Sequence, residues 1–288
     1  MHNFLTFEHL VKNNFPHLSA AQKRVAEYLL QHLEKAAFST AVQIGREADV
    51  SETTVIRLSY ALGFRGFSQM QEMIQEQILG ASSSSQKVNH VKRSFTADGT
   101  NPFAKVIENE SRILNDMFDN LDFDEIWKAV DALIRADQVF IVGYRASYAI
   151  ANYFSLMLGM MRANVEICPS NGDDLYKLSN LTDQSVVLAI SFPRYFRRTL
   201  QIAEFAKKQG ATLISVTDRL LSPVGRIADI TLTVDRNVDP DTGLFSLSSV
   251  VSLLYLIIQG MKMKDQERIQ ARQQKLEQLY SNDDLLLE

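Results

Sequence analysis

Short apolar runs alternate with segments of helical length between residues 138 and 234, and this alternation constrains the fold more than any other feature of the chain. Each run has four to six residues and is rich in Val, Ile and Leu, as expected for a strand buried on both faces. The five candidate strands are 139–142, 164–167, 185–190, 212–216 and 230–234. Because parallel strands need crossover connections, the pattern predicts an α/β fold with a doubly wound, flavodoxin-like parallel sheet.

The first apolar run ends in a glycine turn that leads into a helix. Gly143 follows the strand, and Ser147 lies at the start of an apolar helix expected to reach residue 161. Ligands of such sheets bind outside the carboxyl ends of the strands, where helix N-termini present unpaired N–H groups and the positive end of the helix dipole. An anion-binding site is therefore expected at this turn.

Polar side chains also follow two other strands. Ser191 and Arg194 come after the third strand, and Thr217 and Ser222 come after the fourth. Chance clusters of loop hydroxyls explain each segment alone, but their repetition at successive strand ends favours a binding site. If the strands are assigned correctly, all three segments converge on one crevice.

A dinucleotide site is excluded by the missing glycines. A pyrophosphate-binding G-x-G-x-x-G turn beginning at Gly143 would need glycine at two later positions, which hold Arg145 and Tyr148. A nicotinamide-dependent enzyme is therefore not expected. We expect neither a cofactor nor a metal site.

Helix caps dominate the first 70 residues. Ser19 with Gln22 and Ser68 with Gln71 have the spacing of capping boxes, in which side chain and backbone satisfy each other's hydrogen-bonding groups. Each pair therefore predicts the start of a helix.

Two short helices between these caps form a helix-turn-helix pattern. Thr40 and Ser51 are expected to cap them, and Val55 and Leu58 would face the core from the second helix. The same helix turns the side chains of Thr53, Thr54 and Arg57 outward. Their hydroxyl and guanidinium groups are of the kind that contact phosphates and base edges in DNA. A plain helical bundle with ordinary surface polar residues is the alternative.

The length of 288 residues predicts two domains. We expect an all-α domain at 1–80, a small polar linker at 81–101 and the α/β domain at 102–280. The single cysteine, Cys168, cannot form an internal disulfide, and no leader or membrane-spanning run is evident. A cytoplasmic protein without membrane contact is therefore expected.

The charge of the chain is evidence against nucleic-acid binding. The net charge is −4 overall and −1 within residues 1–80, which hold 7 Lys and Arg against 8 Asp and Glu. Residues 81–101 carry a net +2. Any positive charge that meets DNA must therefore be local.

Two motifs in the N-terminal segment resemble a known family. The sequences SETTVIR at 51–57 and LGFRGFS at 62–68 resemble the N-terminal domain of the RpiR/MurR-type bacterial transcription regulators. The resemblance covers about residues 1–80. It implies operator DNA binding as a dimer, with Ser51, Thr53, Thr54 and Arg57 in the recognition helix and Arg65 on the DNA backbone.

The segment from about 120 to 262 resembles the sugar isomerase (SIS) domain, the usual partner of that DNA-binding domain. The family holds a phosphosugar with a G-x-G-x-S turn and an S-x-S-G-x-T loop, near a T-D/N-x-x-x-S-P segment. The matching residues are Gly143, Ser147, Ser191, Thr217, Asp218, Ser222 and Pro223. The resemblance implies an effector site built from these positions.

The departures from these motifs replace glycines by arginines. Arg145 stands at the second glycine of the turn, and Arg194 stands at the glycine of the loop. Pro193 and Phe196 replace the second Ser and the Thr of the loop, which removes an N–H and a hydroxyl. A guanidinium binds phosphate or carboxylate with two hydrogen bonds, so a small anionic metabolite remains the expected ligand.

Sensing is preferred over catalysis because the sugar domain lacks histidine. All five histidines precede residue 91, and only Glu166 and Glu204 stand out as possible bases for an isomerase. The sequence therefore predicts a transcriptional regulator that senses a phosphosugar or related sugar acid, as a homodimer or a dimer of dimers. A sugar-phosphate isomerase with an accessory helical domain is the alternative.

Overall fold

The structure is a computed structural model that describes residues 6–84, 102–168, 175–235, 238 and 245–282. The chain divides into two compact units, Met1–Thr96 and Ala97–Glu288. The division falls inside the predicted linker, of which residues 85–101 lie outside the described part of the chain.

The N-terminal unit is helical throughout its described residues. A short 3-10 turn at Phe15–His17 separates the first two helices. The helices are α1 Phe7–Asn14, α2 Ala20–Gln31, α3 Leu33–Ala37, α4 Ala41–Glu47, α5 Glu52–Ala61 and α6 Phe67–Ser84. The capping boxes at the starts of α2 and α4 form as reciprocal hydrogen bonds between Ser19 and Gln22 and between Thr40 and Gln43.

The pair α4 and α5 forms the predicted helix-turn-helix. Asp49 adopts a left-handed backbone in the turn, with φ 53°. Gly45 permits the close approach of the two helices, because an added Cβ would lie 2.9 Å from the Val50 carbonyl oxygen. The core residues Val55 and Leu58 are fully buried, as predicted. The side chains on the opposite face of α5 therefore remain outside the core.

The predicted capping box at Ser68 is wrong. Helix α6 begins at Phe67, two residues before the start that a cap at Ser68 predicts. The side-chain oxygen of Gln69 accepts a hydrogen bond from the Arg65 backbone N–H at 2.7 Å, while Gln71 donates to the Ser39 carbonyl at 2.8 Å. Gln71 is thus used to tie α6 to the end of α3. The helix also continues to Ser84, four residues into the segment assigned to the linker.

The C-terminal unit contains a five-stranded parallel sheet, and all five predicted strands are present. Its strands are β1 Val139–Gly143, β2 Val165–Ile167, β3 Val186–Ile190, β4 Thr212–Thr217 and β5 Ile230–Thr233. The order in the sheet is β2-β1-β3-β4-β5. This is the flavodoxin-like order of doubly wound folds, which confirms the predicted fold class.

Helices cover both faces of this sheet. The helices of the unit are α7 Pro102–Asp119, α8 Phe123–Arg135, α9 Ala146–Met161, α10 Leu175–Leu178, α11 Arg197–Lys208, α12 Ser248–Lys264 and α13 Gln266–Asn282. One apolar cluster joins the sheet to α8, α9, α12 and α13, and the other joins it to α10 and α11. Alternate residues of β3 enter opposite clusters, as Leu188 and Ala189 illustrate.

None of the described helices is long and apolar enough to cross a membrane. The apolar helix α12 instead buries residues such as Leu253 and Ile257 in the core of its unit.

Replacing Gly45 with Ala should destabilise the N-terminal unit, because the added methyl group meets the backbone of the turn at 2.9 Å. We expect a loss of about 1–3 kcal/mol in the free energy of unfolding. This loss outweighs the gain in helix propensity of about 1 kcal/mol. Urea unfolding of the full chain, followed by circular dichroism, measures the change.

Gly159→Ala is the matched control, because its added methyl group would meet no other atom within 4 Å. We expect no loss of stability in this variant. An unchanged urea midpoint in Gly45→Ala would contradict the close contact between α4 and α5.

Candidate functional site

The crevice expected from the sequence falls at the carboxyl ends of β1 and β3, because their helices pass to opposite faces of the sheet. The chain leaves β1 for α9, which packs on one face, and leaves β3 for α11, which packs on the other. In a doubly wound sheet this reversal of direction is where ligands bind. The two motifs recognised in the sequence border this crevice.

The three predicted loops meet at this edge. The rings of Tyr144 and Phe196 lie 5.0 Å apart, which joins the loop after β1 to the loop after β3. The hydroxyl of Tyr195 donates to a carboxylate oxygen of Asp218 at 2.7 Å, which joins the loops after β3 and β4. The expected convergence of the three segments is therefore found in the structure.

Gly143 is required by the close approach of the first turn of α9 to β1. A Cβ at Gly143 would lie 2.6 Å from the Ser147 carbonyl oxygen and 3.2 Å from its Cβ. The Ser147 backbone N–H donates to the Tyr144 carbonyl at 3.2 Å, and its side chain is half-buried. Any larger residue at Gly143 would push the helix N-terminus away from the crevice.

Both arginines that replace family glycines keep a backbone conformation that favours glycine. Arg145 has φ 58° and ψ −125°, and Arg194 has φ 67°. Such a conformation costs about 1–3 kcal/mol for a residue with a Cβ. Both side chains are exposed. The two turns thus have a glycine-like backbone and carry two exposed positive charges.

The helices α9 and α11 both begin at this edge without a side-chain cap. Arg145 and Phe196 occupy the N-cap positions, and neither side chain accepts a hydrogen bond from the helix. The first turn of α11 contains Arg197 and Arg198 and no acidic residue. Positive side chains at the positive end of a helix dipole are electrostatically unfavourable. A bound anion at this position would therefore lower the electrostatic energy.

Ser191 is a buried residue with an unpaired hydroxyl. It is 3% exposed, and its Oγ has no hydrogen-bond partner among the residues that the structure describes. Phe192 belongs to the cluster under α9, so the alternation of β3 turns Ser191 to the face covered by α11. A buried hydroxyl without a partner costs about 1–3 kcal/mol, and such groups often mark ligand sites.

Thr217 and Ser222 are fully buried and already hydrogen-bonded. The Thr217 hydroxyl donates to the Asp218 carboxylate at 3.2 Å, and the Ser222 hydroxyl accepts from the Gly225 N–H at 3.0 Å. Their contacts stabilise the turn after β4. Direct contact of both side chains with the effector stays a prediction.

Tyr195 and Asp218 form a hydrogen-bonded pair that is not evident from the sequence. Burial and the hydrogen bond to Asp218 raise the pKa of Tyr195 above its usual value. Arg219 lies over the Tyr195 ring, with its guanidinium carbon 5.8 Å from the ring centroid. The pair follows two strands that are separate in sequence, so only the strand order could have joined its members.

Tyr144 is held between the loops in its neutral form. Burial, followed by the hydrogen bond to Cys168, raises the pKa of Tyr144 to about 12, and the nearby Arg198 opposes this shift. The Tyr144 hydroxyl oxygen and the Cys168 sulfur are 3.3 Å apart. Cys168 is therefore a buried thiol in contact with Tyr144.

The candidate bases of the isomerase alternative lie away from the converging loops. Glu166 is in β2 and forms a salt bridge with Lys177 at 3.2 Å. Glu204 is exposed in the second half of α11. Neither carboxylate is among the groups that the loops after β1, β3 and β4 bring together.

In the N-terminal unit, the exposed face of α5 presents Thr53 and Arg57. Ser51 caps the helix, and its hydroxyl lies 3.0 Å from the hydroxyl of Thr54. Gln22 donates to the backbone carbonyl of Arg57, and the Arg57 side chain is exposed. Arg65 is exposed in the turn before α6. The five predicted DNA-contacting residues therefore lie on or next to one helix.

Two family models match the chain. The model described as "Helix-turn-helix domain, rpiR family" matches residues 6–88, and the model described as "SIS domain" matches residues 132–259. The chain belongs to the RpiR family. It is a transcriptional regulator with an N-terminal helix-turn-helix domain and a C-terminal SIS domain.

Known proteins agree with this organisation of the RpiR-family chain. The HTH-type transcriptional regulator HexR of Escherichia coli (strain K12) is 27% identical over 247 residues, which cover 84% of this chain and 82% of HexR. The sugar isomerase domain of an RpiR transcription factor from Sphaerobacter thermophilus superposes with a TM-score of 0.58 at 25% identity, over 62% of this chain and 98% of that domain. Vibrio vulnificus NanR, complexed with ManNAc-6P, superposes with a TM-score of 0.60 at 19% identity, over 97% of this chain and 99% of NanR.

Two serine variants should change stability in opposite directions. Ser191→Ala removes an unpaired buried hydroxyl, so the free energy of unfolding without ligand should rise by about 1 kcal/mol. Ser222→Ala leaves the Gly225 N–H buried without its acceptor, so the same quantity should fall by about 1–3 kcal/mol. Urea unfolding of both full-length variants measures the signs. A loss in Ser191→Ala comparable to that in Ser222→Ala would show that the Ser191 hydroxyl is paired.

Proposed function

We propose that this RpiR-family regulator binds operator DNA through α5 and senses a small anionic metabolite, a phosphosugar or a related sugar acid, in the crevice between β1 and β3. The observation that carries the proposal is the pair of arginines with glycine-like backbone at the crevice, Arg145 and Arg194. Their conformations are costly in the ligand-free protein, and a bound anion would offset this cost.

The charges around the crevice favour an anion. Arg145, Arg194 and Arg197 are exposed at the starts of α9 and α11, and both helix dipoles add partial positive charge. The carboxylate of Asp218 is already engaged by the hydroxyls of Tyr195 and Thr217. A phosphate or carboxylate group would therefore meet donors from side chains and backbone together.

Hydroxyl groups of the site suit a sugar. The unpaired Ser191 Oγ can donate or accept a hydrogen bond, and Ser147 places a second hydroxyl at the start of α9. The NanR structure contains a phosphosugar, but at 19% identity that likeness carries the fold alone. The proposed ligand class therefore rests on the residues of this chain.

Binding without turnover is the proposed activity of the crevice. An isomerase needs a positioned base, and Asp218, the carboxylate that the described loops after β1, β3 and β4 bring to this edge, is already hydrogen-bonded. Turnover of a phosphosugar by the purified chain, lost in Glu166→Gln or Glu204→Gln, would contradict this proposal.

Assembly of subunits would couple effector binding to DNA binding. Large apolar side chains are exposed on helices of the C-terminal unit, including Val106 and Ile107 of α7 and Leu156 of α9. We propose that such surfaces pair subunits into a homodimer or a dimer of dimers in the cytoplasm, so that two recognition helices read DNA half-sites about 34 Å apart. The effector would act by favouring one arrangement of the paired DNA-binding domains.

Arg57→Ala should weaken operator binding by about tenfold or more, since an arginine contact to a base contributes about 1–3 kcal/mol of discrimination. The unfolding midpoint should stay unchanged because the side chain is exposed. The measurement is a titration of DNA fragments that the wild-type protein has selected from a random-sequence pool. Lys35→Ala is the control: it removes the same charge from an exposed side chain that pairs with Glu47. Equal losses in both variants would indicate general charge attraction and contradict the recognition assignment.

Arg194→Gly should separate folding from effector binding. Glycine fits φ 67° without strain, so stability without ligand should be kept or raised by about 1 kcal/mol. The thermal shift induced by phosphosugars should be lost in a screen of sugar phosphates and small carboxylates. Arg194→Lys keeps the charge, and we expect it to retain part of the shift. If Arg194→Gly and the wild-type protein shift equally, the anion lies elsewhere.

A further inference from the structure

A second pocket lies at the opposite edge of the sheet, where β1 and β2 begin. Its volume is about 500 Å³, within the range of small-molecule sites. Four arginines line it: Arg135 at the end of α8, Arg162 after α9, and Arg268 and Arg272 of α13. No carboxylate is among the described residues that line this pocket.

The hydrogen bonds of these arginines go mainly to neutral carbonyl groups. Arg162, which is 7% exposed, donates to the carbonyls of Leu133 and Ala136 at 2.6 and 2.8 Å. Arg272 donates through two nitrogens to the Gly159 carbonyl at 2.8 and 2.6 Å. Carbonyls at a helix C-terminus carry only partial negative charge, equivalent to about half an electron for a whole helix. They satisfy the donors but leave most of the positive charge uncompensated.

The carboxylates around the pocket compensate this charge only in part. Asp265 pairs with Arg268 at 2.9 Å. Asp131 lies 3.7 Å from Arg135 but contacts Lys264 at 2.6 Å. Asp137 accepts hydrogen bonds from two hydroxyl side chains, Thr182 and Ser185.

The pKa of Arg162 responds to the excess of positive charge in the pocket. Burial first, and then repulsion by Arg268 and Arg272, lower the pKa of Arg162, while Asp137 opposes the shift. Neighbouring cations raise the free energy of one another in a partly buried pocket. An anion placed among them would relieve this repulsion.

We propose that this pocket is a second anion site, distinct from the crevice, for a ligand that carries phosphate groups. Arginine binds phosphate through two parallel hydrogen bonds, and the exposed guanidinium groups of Arg135 and Arg268 lie on different helices. Arg268 and Arg272 already connect α13 to the ends of α8 and α9, through the carbonyls of Ile134 and Gly159. The bound ligand would add a further link between α8 and α13. Occupancy would therefore hold the C-terminal helix against its unit.

Calorimetric titration of the full chain with inorganic pyrophosphate tests the site. Arg194→Gly is the background because it should weaken binding in the crevice, and one class of pyrophosphate sites should remain in it. Adding Arg135→Gln should weaken that remaining binding by about tenfold or more. Arg135 has a side chain that is 78% exposed, so this change should leave the fold intact. Arg268→Gln provides a second variant from the other helix.

Lys275→Gln is the matched control, because it removes an exposed positive charge from α13 outside the pocket. It should bind pyrophosphate like its background. Equal affinities for Arg135→Gln, Arg268→Gln and Lys275→Gln would overturn the proposal, as would complete loss of binding in Arg194→Gly alone. A parallel titration with glucose 6-phosphate distinguishes a site for phosphorylated metabolites from one for inorganic phosphates only.

Discussion

The parallel pairing of β1 with β3 is the interaction on which the crevice depends. Gly143 is in register with Ile190, so the residues that follow the two strands emerge side by side. All five residues of each strand are buried, and helices pack on both faces. The two strands then send their chains to opposite faces. The apolar core thereby fixes the place where two helix N-termini and three polar loops must meet.

Several energetic irregularities of the C-terminal unit lie at this edge. Arg145 and Arg194 have left-handed backbones, α9 and α11 lack side-chain caps, and Ser191 lacks a partner. By contrast, the starts of α2 and α4 in the N-terminal unit have complete capping boxes. A fold tolerates local cost where the surrounding core is strong enough, and such costs concentrate at functional sites.

The strands, most helix starts and the helix-turn-helix could be predicted because their signals are local. Apolar runs, caps and turn glycines act within a few residues of one another. The capping box predicted at Ser68 was wrong because Gln69 accepts the hydrogen bond at the helix start and Gln71 donates to the carbonyl of Ser39, next to the end of α3. The arginine pocket could not be found in the sequence, since its members span Arg135 to Arg272 and meet only through helix packing. The burial of Thr217 and Ser222 is likewise a tertiary property.

The unpaired hydroxyl of Ser191 has a consequence for the lifetime of the protein. Proteases cleave the unfolded molecules. A ligand that binds only the folded state lowers the unfolded fraction by a factor of one plus the ratio of the ligand concentration to the dissociation constant. A ligand that also pairs Ser191 would remove a cost carried by the empty protein. The empty regulator would then be degraded faster than the occupied one, and its abundance would follow the supply of its metabolite.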